Sequence, residues 1–217
     1  MTLLLLVRHG HTDVAGKRLT GWTPGVHLNE RGRDAAESLV GRLEEVPIDA
    51  IYSSPLERCR ETAAPLARAR GLSVRIRRGL IETGYGDWTG RTISQLRRTK
   101  LWRTVERTPS AVRFPGGESL LEVQARAVEE VRRIAADHPT GTVVVVSHAD
   151  PIRLLIAHVG GAHVDNLHRL VVDTASVTAV ALDHETTRLL KVNDTGGLTG
   201  LARRGPRHRP PTAKVRG

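Results

Sequence analysis

The chain has 217 residues but only one cysteine, one methionine and one phenylalanine. The lone Cys59 excludes an intrachain disulfide framework and a zinc-ribbon site. It fits a reducing compartment, so the expected location is cytoplasmic. Aromatic residues make up 3% of the chain, too few for a surface that binds single-stranded nucleic acid by stacking bases. No apolar run approaches the ~18 residues that a bilayer span needs, so no membrane partner is expected. The greasiest stretch near the start, residues 3–7, is too short for a signal-peptide core and has no basic flank before it. There is no internal repeat. Hydrophobic and charged fractions of 39% and 26% are ordinary for one globular domain with a sizeable core.

The chain is rich in positive charge, with a formal net charge of +10. The distribution of that charge argues against a nucleic-acid partner. The stretch 203–217, "RRGPRHRPPTAKVRG", holds six of the 33 basic residues and no acid, which leaves a net +4 on residues 1–202. Proline, glycine and arginine with almost no apolar surface cannot drive folding. The chain therefore divides into a domain at 1–202 and an unfolded basic tail at 203–217.

Apolar runs bounded by turn residues predict strands at 3–7, 50–53, 74–76, 143–147, 176–182 and 187–192, with "DHET" as the turn between the last two. Helical patterns fill the gaps at 30–45 after Asn29, 55–70 with Ser54 as cap and Pro55 in the first position, 120–137 and 151–159. The third of these follows a capping box, Ser119-x-x-Glu122, and its expected apolar stripe is Leu121, Ala125, Val128 and Ala135. Strands alternating with helices predict an α/β fold with a mostly parallel central sheet. Residues 3–7 and 143–147 are apolar at successive positions, as strands covered by helices on both faces are.

In such a sheet, ligands sit beyond the carboxyl ends of the strands. Two of the strands run into histidine there, at Val7-Arg8-His9 and Val146-Ser147-His148, and a third runs into "SSPLERCR" with Arg58 near a helix N-terminus. Two arginines and two histidines on one edge would make a pocket for a dianion, because guanidinium groups pair with phosphate oxygens. Nearby cations would hold His9 neutral, free to attack phosphorus through a ring nitrogen. A leaving alkoxide then needs an acid. The glycine-rich stretch "ETGYGDWTG" offers Glu82, with Asp87 as a competitor.

The motifs "LVRHGHT", "TGWTPGVHLNERG", "IYSSPLERCRETA", "ETGYGDWTG", "PGGES" and "VVVVSH" occur in this order across most of residues 3–160. In them the chain resembles the histidine phosphatase superfamily, which includes phosphoglycerate mutases and many small phosphatases. The resemblance implies a three-layer α/β/α, phosphoglycerate mutase-like fold. It implies His9 as the phosphorylated nucleophile, Arg8, Arg58 and His148 as holders of the phosphoryl group, and Glu82 as proton donor; while it meets the phosphoryl charge, His148 is expected to be protonated. Thr20 and Gly21 match a substrate-contacting turn. No metal and no cofactor are implied, and the expected partner is a small phosphorylated metabolite. No oligomeric state is implied.

The chain also departs from the family pattern. Ala15 stands where many members have a phosphate-binding Asn, His11 replaces the acid common after "RHG", and Ala149-Asp150 replaces a glycine pair. Thr83 and Gly84 replace the arginine and histidine that follow the catalytic glutamate in the mutases, which favours a phosphatase over a phosphomutase. Trp22 and Trp88 read as packing residues. Two rival readings are weaker. His9-x-His11 with His148-x-Asp150 could be metal ligands, but Arg8 beside a metal cation is unfavourable. A non-catalytic polyanion binder built on Arg8, Arg58 and the tail has no use for Glu82.

Overall fold

The computed structural model describes residues 1–182 and 187–196. The elements follow in chain order as β1 (Thr2–Arg8), α1 (Glu30–Arg42), β2 (Ala50–Ser53), α2 (Glu57–Arg70), β3 (Val74–Ile76), the short helices α3 (Ile93–Leu96) and α4 (Lys100–Arg107), α5 (Leu120–Asp137), β4 (Thr142–Ser147), α6 (Ala149–Val159), β5 (Val177–Leu182) and β6 (Thr187–Asp194). The sheet runs in the order β3-β2-β4-β1-β5-β6. Its first four strands are parallel, and the last two extend the β1 edge antiparallel. This is the expected mostly parallel α/β architecture.

Alternation along the central strands explains the unbroken apolar runs. Leu5, Val7, Ile51, Val144 and Val146 face α1 and α2, meeting Leu39, Leu43, Cys59, Ala63 and Leu66. Leu4, Leu6, Tyr52, Val143 and Val145 face α5 and α6, meeting Val131, Ile134, Ile152 and Leu155. Both sides of each strand are thus buried, at about 1.5–3 kcal/mol for each large aliphatic side chain. A third cluster lies outside these layers, where Tyr85, Trp88, Leu96, Val105, Phe114, Leu120 and Leu154 pack together. It gives the segment between β3 and α5 its own small core.

Several boundaries differ from the sequence reading. α1 stops at Arg42 rather than 45, because Leu43 turns into the core and its N–H caps the carbonyls of Leu39 and Gly41. α2 begins at Glu57, with Leu56 as a cap that makes no side-chain hydrogen bond, so Pro55 is not its first residue. α6 begins at Ala149, directly after His148. The capping box of α5 forms in full, with Ser119 Oγ accepting from the Glu122 N–H at 3.2 Å and Glu122 Oε2 from the Ser119 N–H at 2.8 Å. Its apolar stripe is shifted in phase, however. Leu120, Val123, Ala127, Val128, Val131 and Ile134 are buried, whereas Leu121 is 47% exposed. The helix answers to two cores, since Leu120 and Val123 belong to the third cluster and Val131 and Ile134 to the sheet. The "DHET" turn and the 203–217 tail lie outside the described residues. No helix among the described residues is long and apolar enough to cross a membrane.

Candidate active site

The register of the parallel strands assembles the site. Arg8 pairs with Ser147 across β1 and β4, and Ser53 with Val146 across β2 and β4. The residues that follow, His9, Ser54 and His148, therefore emerge side by side. The imidazole rings of His9 and His148 lie 5.2 Å apart between centroids. His9, Arg58, Glu82 and His148 are 6%, 1%, 8% and 0% exposed, so four ionisable groups share one dry edge of the sheet.

Local contacts fix each group. After β1 the chain turns at Gly10, whose N–H donates to Thr62 Oγ1 at 2.9 Å, while that hydroxyl donates to the Arg58 carbonyl at 2.6 Å. One threonine thus ties the loop carrying His9 to the helix carrying Arg58. The same loop crosses α1 where only glycine fits, since a Cβ on Gly32 would lie 2.1 Å from the His11 carbonyl oxygen. The close contact accounts for the glycine of "NERG".

His9 Nδ1 lies 2.7 Å from the Gly10 carbonyl, which can only accept. The proton therefore sits on Nδ1 and Nε2 keeps its lone pair. Burial first, then the Arg58 and Arg8 charges, push the His9 pKa down to about 3. His9 is neutral at any ordinary pH.

Arg58 Nη2 donates to the Gly21 carbonyl at 2.9 Å, and Arg8 Nη1 to the Val172 carbonyl at 2.7 Å. Among the described residues, Arg58 Nε and Nη1 and Arg8 Nε are buried without a hydrogen-bond partner. Buried donors left unpaired are costly, and they mark a place built to receive acceptors. His148 Nε2 lies 2.8 Å from Ser54 Oγ and 3.4 Å from Cys59 Sγ, whose own proton goes to the Ser147 carbonyl at 3.4 Å. Burial, reinforced by Arg58 and His9, holds the His148 pKa well below its usual value. The expected protonated His148 belongs to the site holding a phosphoryl group; in the free protein the ring is held toward its neutral form. Ser54, read from sequence as a helix cap, accepts the Leu56 N–H at 3.4 Å just before α2 and also meets this ring.

Glu82 lies where β3 leads into the glycine-rich loop, and its Oε1 accepts the Thr83 N–H at 3.0 Å. Burial first, then the Asp150 charge, raise its pKa to about 7, against the opposing pull of that N–H, Arg58 and Arg8. The backbone of the loop is held from behind. The Glu82 carbonyl accepts from Trp22 Nε1 at 2.6 Å and from Arg126 Nη2 at 2.8 Å. Arg126 also grips Glu118 with two bonds, of 2.7 and 2.9 Å, and Glu118 Oε2 takes the Gly84 N–H at 2.7 Å. A Cβ on Gly86, where φ is +51°, would meet the Pro115 carbonyl oxygen at 2.1 Å, so the "ETGYG" and "PGGES" loops touch backbone to backbone.

The remaining candidates fall in different places. Gly21 contributes its carbonyl to Arg58, while Thr20 closes a turn by accepting from the Thr23 N–H at 2.8 Å. His11 is half-buried and its Nδ1 meets the Thr12 carbonyl at 3.1 Å. Asp87 is exposed and its N–H pairs with the Pro115 carbonyl. Trp88 is buried against Phe114 and Trp102, as a packing residue should be. Trp22 is 46% exposed and holds Glu82, a role the packing reading missed. Thr62, Glu118, Arg126 and Tyr85 were missed as well. Thr62, Glu118 and Tyr85 lie inside quoted motifs, but nothing in the sequence around Arg126 announces it.

Comparison with known proteins places the chain in a family. Residues 4–195 match the histidine phosphatase superfamily, branch 1. Phosphoserine phosphatase 1 of Hydrogenobacter thermophilus is 31% identical over 205 residues, which is 90% of this chain and 93% of that protein. The structure of YhfR from Bacillus stearothermophilus superposes with a TM-score of 0.84 at 31% identity, covering 89% of this chain and 98% of that one. A mycobacterial glucosyl-3-phosphoglycerate phosphatase superposes with a TM-score of 0.79 at 32% identity, covering 88% and 98%. The chain belongs to the histidine phosphatase superfamily. Within it, the chain is a phosphatase of the histidine-phosphatase type.

Proposed function

We propose that the chain hydrolyses small phosphomonoesters through a phosphohistidine on His9, with Glu82 as acid and then base and with no metal. One observation carries this reading. A neutral imidazole with its Nε2 lone pair free stands in a buried edge with two arginines that have unpaired donors and a carboxyl group whose pKa is about 7.

The steps balance as follows. His9 Nε2 attacks phosphorus, the ester P–O bond breaks, and the Glu82 proton passes to the departing oxygen. Water then attacks the phosphohistidine, giving its proton to the Glu82 carboxylate and releasing inorganic phosphate. Arg8 and Arg58 meet the negative charge on the phosphoryl oxygens throughout, in a site where water does not screen them. A dianion also favours protonation of His148, which is neutral in the free protein. Thr83 and Gly84 put no cation beside Glu82 to clamp a substrate carboxylate, which supports hydrolysis over mutase chemistry. The names of the relatives point to phosphorylated metabolites such as phosphoserine as the substrate class.

The test is to quench the enzyme in turnover and look for an acid-labile, base-stable phosphoryl group on His9. His9→Ala should lose it together with at least about four orders of magnitude in kcat. Turnover should survive EDTA and be blocked by vanadate. An active His9→Ala protein overturns the mechanism. So does rapid interconversion of 3- and 2-phosphoglycerate, primed with the bisphosphate, with negligible phosphate release.

A further inference from the structure

Asp150 has no part in the chemistry described above, yet it stands two residues past His148, in the first turn of α6. Its two oxygens are separately engaged. Oδ2 accepts from the Tyr85 hydroxyl at 2.7 Å, and Oδ1 from Arg153 Nη1 at 3.3 Å. Tyr85 follows Glu82 by three residues on the same loop, and Ser147 Oγ ties the start of that loop to β4 by donating to the Leu80 carbonyl at 2.7 Å. Tyr85 thus joins the loop that carries Glu82 to the helix that carries Asp150.

Their surroundings are unequal. Asp150 has two side-chain donors and a position at a helix N-terminus, where negative charge is favoured. Among the described residues, Glu82 has a single donor, the Thr83 N–H. When two carboxyl groups crowd one site, the better-served one keeps the charge and the other keeps a proton.

We propose that Asp150 is a positioning residue for the catalytic acid, its carboxylate held by Tyr85 and Arg153 against the loop that carries Glu82 so that a second negative charge there is disfavoured. This rests on the reading of Glu82 as general acid. A glycine at this position, as in the family pattern, supplies neither charge nor acceptor. Asp150 is the largest cause after burial of the raised Glu82 pKa. The other groups facing Glu82 do not replace it. Arg58 from α2 and Arg8 from β1 act in the opposite sense. Cys59 from α2 and Tyr85 from the same loop both have raised pKa values and carry no charge at neutral pH. Arg126 from α5 touches the main-chain carbonyl.

The experiment compares kcat/KM for an alkyl phosphate from pH 4.5 to 9 in five proteins. The wild type should lose activity as pH rises through about 7, where Glu82 gives up its proton. Asp150→Asn and Asp150→Gly should move that limb toward acid by roughly one unit, a tenfold loss on the alkaline side; either variant suffices if the other does not fold. Tyr85→Phe keeps the charge and should not move the limb toward acid. Glu82→Gln should have no such limb. If the Asp150 variants keep the wild-type limb while Glu82→Gln abolishes it, the role of Asp150 is overturned and that of Glu82 stands. An acid shift in Tyr85→Phe equal to that of Asp150→Asn also overturns it, because the hydrogen bond rather than the charge would then set the limb. A Glu82→Gln enzyme that keeps the wild-type limb overturns the general-acid reading itself.

Discussion

Arg126 and Arg58 both lie by Glu82 and are built in opposite ways. All three nitrogens of Arg126 are engaged, with Glu118 and the carbonyls of Gly79, Ile81 and Glu82 as partners. Arg58 is more deeply buried, yet it makes one hydrogen bond and leaves two nitrogens unpaired. A third population, Arg91, Arg97, Arg98, Arg103 and Arg107, lies exposed around α3 and α4 and forms no ion pair among the described residues. One residue type thus serves as scaffold, as receptor and as solvated surface. Satisfaction of the guanidinium, more than its charge, tells these apart.

The comparison breaks most easily at Arg58. Arg58→Ala should lower kcat/KM by about 10²–10³ through loss of transition-state charge stabilisation. The melting temperature should stay unchanged or rise, because an uncompensated buried charge is removed. A fall in melting temperature would show that Arg58 is scaffold after all. Arg126→Ala should do the reverse. Stripping Glu118 and three carbonyls of their donor should cost about 2–4 kcal/mol in a urea melt, while the loss of kcat/KM stays smaller than that for Arg58→Ala.

A titration sharpens the contrast. The unfolded chain protonates His9 near 6.5 and the folded one only near 3. The His9 contribution to unfolding free energy therefore declines as pH falls from 6.5 toward 3, at up to about 1.4 kcal/mol per unit. Glu82 acts with the opposite sign. The folded carboxyl keeps its proton up to about 7 and the unfolded one only to 4.5, so its contribution is full below 4.5 and is lost as pH rises through 7. Urea melts between pH 4.5 and 3, where the Glu82 contribution is constant, should decline less steeply in Arg58→Ala than in the wild type. Arg126→Ala should change that slope less, since Arg126 is not among the causes of the His9 shift. The smallest effect belongs to the exposed group. Arg103→Ala and Arg107→Ala should leave kcat/KM within about twofold and stability within about 0.5 kcal/mol.

The sequence showed clearly those features that repeat or that end abruptly. The doubly apolar runs revealed strands covered on both faces, and their termination in Arg8-His9 and Ser147-His148 revealed the edge where chemistry gathers. The capping box set the start of α5. What stayed hidden depends on side chains meeting across long separations. Ser54 showed its local bond to the start of α2, while its contact with His148, 94 positions away, stayed hidden. The stripe of α5 slipped in phase because one helix serves two cores, which local periodicity cannot show. Arg126 sits among ordinary helix residues, and its five acceptors come from two other segments of chain, 79–82 and Glu118. Asp150 was visible as an oddity, but its purpose needed Tyr85 beside it.

The solitary thiol gives the molecule a built-in clock. Cys59 is fully buried, its proton is given to the Ser147 carbonyl, and burial pushes its pKa up. A maleimide added to the native protein can reach that sulfur only during moments when the strand ends part. The slow labelling rate, divided by the rate for the unfolded chain, gives the free energy of that opening directly. With one cysteine in the sequence, the reading comes from this spot alone. Vanadate bound between Arg8 and Arg58 should slow the clock in proportion to how firmly it staples the strand ends together.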